Sequence, residues 1–261
     1  MHYLTAHPGY SISGLVVGLL VGFTGVGGGA LMTPLLVMLF GIQATTAVGT
    51  DLLYACVTKS VGTAVHGFSG TIEWPIVRRL AAGSVPFTAL TLVILAHYQR
   101  HLESSSKVIT TVLGFALILT AVSIVFRKRI LNALANFASK LTPRDTTLLT
   151  VALGAILGVL VSLSSVGAGA LGVTFLLILY PKLPAGKLVG SDIAHAVPLT
   201  LIAGIGHWFL GSIDVPLLVS LLVGSIPGVI IGSFISSRIP DKVLRPVLAS
   251  TLAVVGARLS F

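Results

Sequence analysis

Charge is scarce in this sequence. Only 7 acidic and 16 basic residues occur in 261, and charged residues make up 9% against 55% apolar ones. With a mean hydropathy of +1.05, that is too little polar surface to cover a water-soluble globule. Cysteine is nearly missing as well. The single Cys56 excludes an internal disulfide and any cysteine-based metal cluster, and it reads as a small packing residue. No HExxH, His-rich or Ser/Lys constellation of recognised spacing is present, so nothing points to a membrane-embedded enzyme or a metal site. The strict apolar-polar alternation of a membrane barrel strand is absent too. No basic residue precedes the first apolar run, so a cleaved secretory signal is not expected, and Met1 to Ser11 reads as a short tail.

What the chain does have is apolar length. Stretches of roughly 18 to 25 residues recur from end to end, the span an α-helix needs to cross a hydrocarbon layer of about 30 Å. The expected class is an all-α polytopic membrane protein. The formal charge of +9 sits between apolar segments, where lipid headgroups and the cytoplasm account for it without nucleic acid.

The sequence also repeats. "GVGGGAL" (25–31) falls on "SVGAGAL" (165–171) at an offset of 140, and after one inserted residue the offset becomes 141. "VGTD" (48–51) then meets "VGSD" (189–192), His66 meets His207, Gly70 meets Gly211, "IEWP" (72–75) meets "IDVP" (213–216), and "GSVP" (83–86) meets "GSIP" (224–227). Two homologous halves follow, a first repeat over 1–126 and a second over 145–261, joined by a basic linker at 127–144.

Each half holds four apolar segments, near 12–40, 47–66, 75–98 and 108–126, with counterparts near 148–180, 188–210, 216–237 and 243–260. The first is interrupted by glycines into pieces of about 12 and 11 residues, or ~18 Å of helix each, too short to span. It is either one long interrupted span or a re-entrant hairpin of two half-helices. Charge arbitrates. If all four segments cross, fifteen Lys and Arg divide evenly: Arg78, Arg79, Arg127, Lys128, Arg129, Lys140, Arg144 and Arg258 against Arg100, Lys107, Lys182, Lys187, Arg238, Lys242 and Arg245. If the first segment of each half enters and leaves on one side, the split becomes twelve against three, with only Arg100, Lys107 and Arg258 on the minor side. The positive-inside rule selects the hairpin. Three crossings per half make the halves antiparallel, an inverted repeat of two homologous halves, each with a Gly-broken re-entrant hairpin plus about three transmembrane helices. Both termini then lie outside the cytoplasm.

Inverted repeats with broken helices are a construction of secondary transporters, whose substrates sit where half-helix ends meet. Irregular backbone at membrane depth is tolerated only where protein or a watery cavity satisfies it. After Gly29 the helix resumes as "ALMTPLLVMLF", so free N–H groups and a positive dipole end face the break and suit an anion. In the second half "SLSSVGAG" adds the hydroxyls of Ser162, Ser164 and Ser165. The plainer alternative is that these glycines only let helices pack closely. A dinucleotide fingerprint is dismissed, because no strand or βαβ unit surrounds the spaced glycines. The candidate anion-binding set is Thr24, Gly25, Gly27, Gly28, Gly29, Thr50, Lys59, Ser164, Ser165, Gly167, Gly169 and Ser191.

These residues and strings, "GVGGGALMTP" followed by "GTDLL" and a second half-copy, resemble the TauE/SafE sulfite exporter family, also called TSUP, over essentially the whole chain. The resemblance implies a bacterial or archaeal inner-membrane carrier of sulfite, sulfoacetate, thiosulfate or related sulfur-containing anions. Sulfur enters only through this resemblance. The partners implied are a small anion, protons and membrane lipid; no cofactor and no oligomeric state follow.

Ionisable residues inside spans are functional by default, because they are costly unless paired or wet. Asp51 and Asp192 are repeat-related, each following a Gly and a hydroxyl residue near the start of its helix. They read either as helix N-caps or as proton-coupling carboxylates that organise the substrate loop. His66 and His207 are likewise paired and are candidate proton relays or interfacial structural residues. Lys59 and His195 break the symmetry, since Thr200 and Tyr54 match them. Asp51, Lys59 and His66 fall within ~80° on a helical wheel, so one polar face lines a path. Lys59 is the candidate cationic contact or the partner of an Asp. The proton-coupling candidates are thus Asp51, Asp192, His66, His195 and His207. A passive anion channel and a carrier of a non-sulfur organic anion are the competing functions.

Overall fold

The computed structural model describes residues 8–24, 29–98, 102–235, 250, 254 and 256–257. Among these residues there is no strand. In chain order the helices are α1 (Pro8–Thr24), α2 (Gly29–Phe40), α3 (Ala44–Phe68), α4 (Trp74–Tyr98), α5 (Leu102–Ala138), α6 (Pro143–Ser164), α7 (Ala170–Leu179), α8 (Ala185–Phe209) and α9 (Val215–Ile235). Five of them, α4, α5, α6, α8 and α9, are long and apolar enough to cross a membrane. The protein is a polytopic all-α membrane protein. Helix α3 has the length but carries Asp51, Lys59 and His66, which lower its hydropathy.

Three helix bounds differ from the hydropathy reading. Helix α1 starts at Pro8 rather than near residue 12, because proline at a first helical position loses no hydrogen bond. Helix α6 starts at Pro143, where Thr142 and Asp145 form a reciprocal capping box. Its arm is therefore 22 residues against 10 for α7. Helix α5 runs on through the basic stretch to Ala138, leaving only a four-residue connection before α6. Most of the eighth apolar segment, near 243–260, lies outside the described residues.

Both interrupted segments fold back on themselves. Thr150, near the start of α6, shares a 2.8 Å hydrogen bond with the Tyr180 hydroxyl, at the end of α7. A continuous rod would put about 45 Å between two residues thirty apart. In the first half Tyr10 and Phe40, 140 residues earlier, stack edge to face with centroids 4.7 Å apart.

Helix directions follow from which residues meet. A Cβ on Gly14 would strike the Leu221 carbonyl and one on Gly18 the Ser225 carbonyl, so α1 and α9 are parallel and in backbone contact. Equivalent collisions join Gly154 to Leu80 and Gly158 to Ser84, which makes α6 and α4 parallel. Gly49 abuts Ser212 and Gly190 abuts Thr71, so α3 and α8 are antiparallel. The hydrogen bonds Asp214 N to Thr50 Oγ1 and Tyr54 OH to Ser225 Oγ set α9 parallel to α3. Glu73 N to Ser191 Oγ and the Ser84–His195 bond set α4 parallel to α8. Helices α1 and α6 therefore run in opposite senses.

Candidate functional site

The centre of the α3–α8 pair is polar and buried. Asp51, Lys59 and Asp192 are all buried, with exposures of 0%, 5% and 1%. Placing an Asp–Lys–Asp set at this depth costs several kcal/mol unless the groups compensate one another. Lys59 is the cation that acts on both carboxyls. Its Nζ also donates to the Ala168 carbonyl at 3.4 Å, inside the break between α6 and α7. Asp51 accepts a short hydrogen bond from Thr33 Oγ1 on α2 and faces Ser165. Asp192 lies against the backbone of Gly169 and Gly172 at the start of α7.

That break is built from unusual backbone. Ser165 ends α6 in the left-handed region with φ 57°, and Gly167 and Gly169 have φ of 122° and 120°. A side chain at either glycine would be strained by an amount on the order of 1–3 kcal/mol. Ser164 Oγ donates to the Leu160 carbonyl at 2.7 Å and accepts from Val166 N at 3.2 Å, closing the turn. Ser162 Oγ donates to the Gly158 carbonyl. These two hydroxyls therefore serve the hairpin's own backbone.

Asp51 and Asp192 do not cap their own helices. Helix α3 is preceded by Gln43 and α8 by Pro184, which puts both acids about two turns inside. Asp192 faces the start of a different helix, α7, where a carboxyl complements the dipole end.

The other candidates separate from this cluster. Thr50 Oγ1 accepts from Asp214 N at 3.1 Å, and Ser191 Oγ accepts from Glu73 N at 2.8 Å. They tie the two helix-connecting loops to α3 and α8. His66 is half-buried at the far end of α3, with Nδ1 2.8 Å from Thr71 Oγ1. His207 is buried and donates from Nε2 to the Ser162 carbonyl at 2.9 Å, at the end of α6. His195 Nε2 shares a 2.8 Å bond with Ser84 Oγ on α4. Thr24 closes α1 and Gly29 opens α2; Gly25, Gly27 and Gly28 lie outside the described residues.

Three partners escaped the sequence reading. Thr33, which holds Asp51, is matched by Val173 in the second half, so the repeat offered no signal for it. Ser84 and Ser225 did carry a signal. They are 141 apart, and so are Tyr54 and His195; the resulting Tyr54–Ser225 and His195–Ser84 bonds, at 2.7 and 2.8 Å, occupy equivalent places.

Asp51 Oδ1, both Asp192 carboxyl oxygens and Ser165 Oγ are buried without a well-aligned hydrogen bond among the described residues, although Ser165 lies beside Asp51 and the Gly169 backbone beside Asp192. Buried acceptors of this kind call for a proton, a cation or a polar ligand. No group of three or more metal-ligating side chains occurs among the described residues.

The sequence model for "Sulfite exporter TauE/SafE" matches residues 10–259. The chain belongs to the TauE/SafE sulfite exporter family. This family identifies a membrane transporter. Similar chains include the "Probable membrane transporter protein YjnA" of Bacillus subtilis, 41% identical over 211 residues, covering 80% of this chain and 82% of that protein. "Probable membrane transporter protein YdhB" of the same organism is 30% identical over 213 residues, covering 79% and 80%. "Probable membrane transporter protein MJ0441" of Methanocaldococcus jannaschii is 24% identical over 270 residues, covering 97% and 95%. No solved structure matches the chain.

Proposed function

We propose that this protein is a secondary transporter that moves a small sulfur-containing anion, such as sulfite, sulfoacetate or thiosulfate, across the inner membrane together with a proton. The observation that carries the reading is one buried lysine, bonded into a helix break, in the electrostatic field of two buried carboxyls, three of whose oxygens lack a well-aligned hydrogen bond. Charge counting gives the mechanism. One cation cannot neutralise two carboxylates, so the empty cluster is neutral with one proton bound. A monoanion reaching Lys59 is neutralised by a second proton, and the loaded site then carries both protons with the anion. Loading and release thus exchange one anion together with one proton, and a barrier that charge would impose at membrane depth is avoided.

The architecture supports the same reading. Helices α1 and α6 run in opposite senses, and the contacts of the first half recur in the second at an offset of 140 or 141 residues. On this reading the halves 1–126 and 145–261 are an inverted repeat around the α3–α8 crossing, linked by 127–144. Each hairpin re-enters from its own side, and both termini are extracytoplasmic. The site then lies at the repeat interface, where rocking of one half against the other exposes it alternately. Thr50 and Ser191, bonded to Asp214 N and Glu73 N, are the repeat-related ties on the two opposite faces. The Lys187–Glu73 ion pair reinforces the second tie.

The experiment is a thermal-shift panel on the purified protein with sulfite, thiosulfate, sulfoacetate and simple carboxylates. A ligand that binds only the native state at 100 times its Kd adds about 2.7 kcal/mol of stability. Stabilisation by sulfur oxyanions or organosulfonates supports the reading; stabilisation by carboxylates alone moves it to a non-sulfur organic anion.

A further inference from the structure

A crevice of about 940 Å³ opens away from the Asp–Lys–Asp cluster, between the C-terminal overhang of α5 and the end of α7. One wall is the stripe Leu131, Leu134, Ala135 and Ala138, spaced so that a single helical face meets the gap. The opposite wall is Leu177 and Leu179. Polar groups gather at one edge. Arg79 and Lys182 line it, no acidic residue does, and the turn at its end, from Ser139 to Thr142, contains Lys140 and is followed by Arg144 and Asp145 in the first turn of α6. Arg79 is oriented by a 3.1 Å bond from Nη1 to the Tyr180 hydroxyl, which spends one of its five donors.

We infer that this crevice binds an anionic phospholipid, with its phosphate between Arg79 and Lys182 and the first carbons of its acyl chains along the α5 stripe. An apolar slot alone fits any lipid tail. The all-cationic edge selects a negatively charged headgroup, and a guanidinium already fixed in place loses little freedom on meeting a phosphate. A soluble phosphate fits the edge but leaves both leucine walls uncovered. Lipid bound here would brace the α5–α6 connection against the hairpin that carries Ala168 and Gly169. The inference is independent of which anion is transported.

The test uses the full chain in neutral detergent, with phosphatidylglycerol, phosphatidylcholine and glycerol 3-phosphate as probes and thermal unfolding plus native mass spectrometry as readouts. Phosphatidylglycerol is expected to bind saturably and raise the unfolding temperature, whereas phosphatidylcholine is not. Lys182→Gln, an exposed position, should weaken phosphatidylglycerol binding about five-fold, and Arg79→Gln with Lys182→Gln about 25-fold, from the usual increment per basic residue at an anionic surface. Ala138→Trp fills the slot and keeps both cations; it should abolish binding as well, which covers the case in which Arg79→Gln does not fold. Equal stabilisation by phosphatidylcholine, wild-type binding in the double variant, or wild-type binding in Ala138→Trp would each overturn the inference. Full displacement by glycerol 3-phosphate would also overturn it, in favour of a soluble phosphate ligand.

Discussion

Replacing Lys59 by methionine removes a charge and keeps most of the side-chain volume. Lys59 is buried among α3, α8 and the α6–α7 break, with one hydrogen bond to the Ala168 carbonyl and two carboxyls in its field. Loss of one partner from a buried ion pair costs on the order of 3–5 kcal/mol when the remaining charge stays. Here both acids can take protons instead, so the expected loss of folding stability is smaller, about 1–3 kcal/mol, comparable to a lost charged hydrogen bond. The effect on anion binding is separate. A charge-assisted contact contributes about 1.5–3 kcal/mol, so the Kd for sulfite should rise about 10- to 150-fold. Isothermal titration of detergent-purified Lys59→Met with sulfite, beside its unfolding temperature, measures both. Sulfite binding within two-fold of wild type in a folded Lys59→Met protein would refute Lys59 as the anion contact and leave it as the partner of Asp192 and Asp51.

Three further outcomes follow from the same geometry. Asp192→Asn should retain sulfite binding and anion exchange in proteoliposomes but lose accumulation driven by a pH gradient; unchanged accumulation in both Asp192→Asn and Asp51→Asn would remove the carboxyls from coupling. Gly169→Val, at φ 120°, should leave protein in the membrane with reduced unfolding temperature and no flux, since a β-branched side chain is strained there; normal flux would mean that the break only packs helices. Single cysteines at Lys128 and Lys242 in a Cys56→Ala background should be shielded from an impermeant thiol reagent outside intact cells while one at Glu103 reacts, and labelling of Glu103 and Lys128 from the same side would sink the inverted topology.

Much of the helix order was legible because the hydrocarbon layer makes apolar length a strong signal. Helices α3, α4 and α8 fall within a few residues of the apolar segments at 47–66, 75–98 and 188–210. Helix α5 was cut short because hydropathy falls at Arg127, whereas the helix continues to Ala138 as an amphipathic overhang. Composition detects where a chain leaves lipid, not where its helix stops. In the candidate site, the wheel that grouped Asp51, Lys59 and His66 was half informative. Asp51 and Lys59 share the cluster; His66 is turned to Thr71 by the loop after α3, a tertiary contact that one helix's periodicity does not encode. Pairing across helices, as in Thr33–Asp51 or Lys59–Ala168, depends on hairpins folding back against α3 and α8, and only the three-dimensional fold displays it.

The central claim is that the buried lysine, in the field of two buried acids, moves an anion together with a proton. Its most direct test is uptake of labelled sulfite into proteoliposomes under an imposed pH gradient, with the membrane potential clamped at zero and then at a large value of either sign. The account predicts saturable accumulation that follows the pH gradient and, for the monovalent bisulfite form, is unaffected by the potential, with that accumulation lost in the Asp51→Asn and Asp192→Asn double variant. Flux that never exceeds the electrochemical equilibrium of the anion and scales with the potential would contradict it and identify a passive channel.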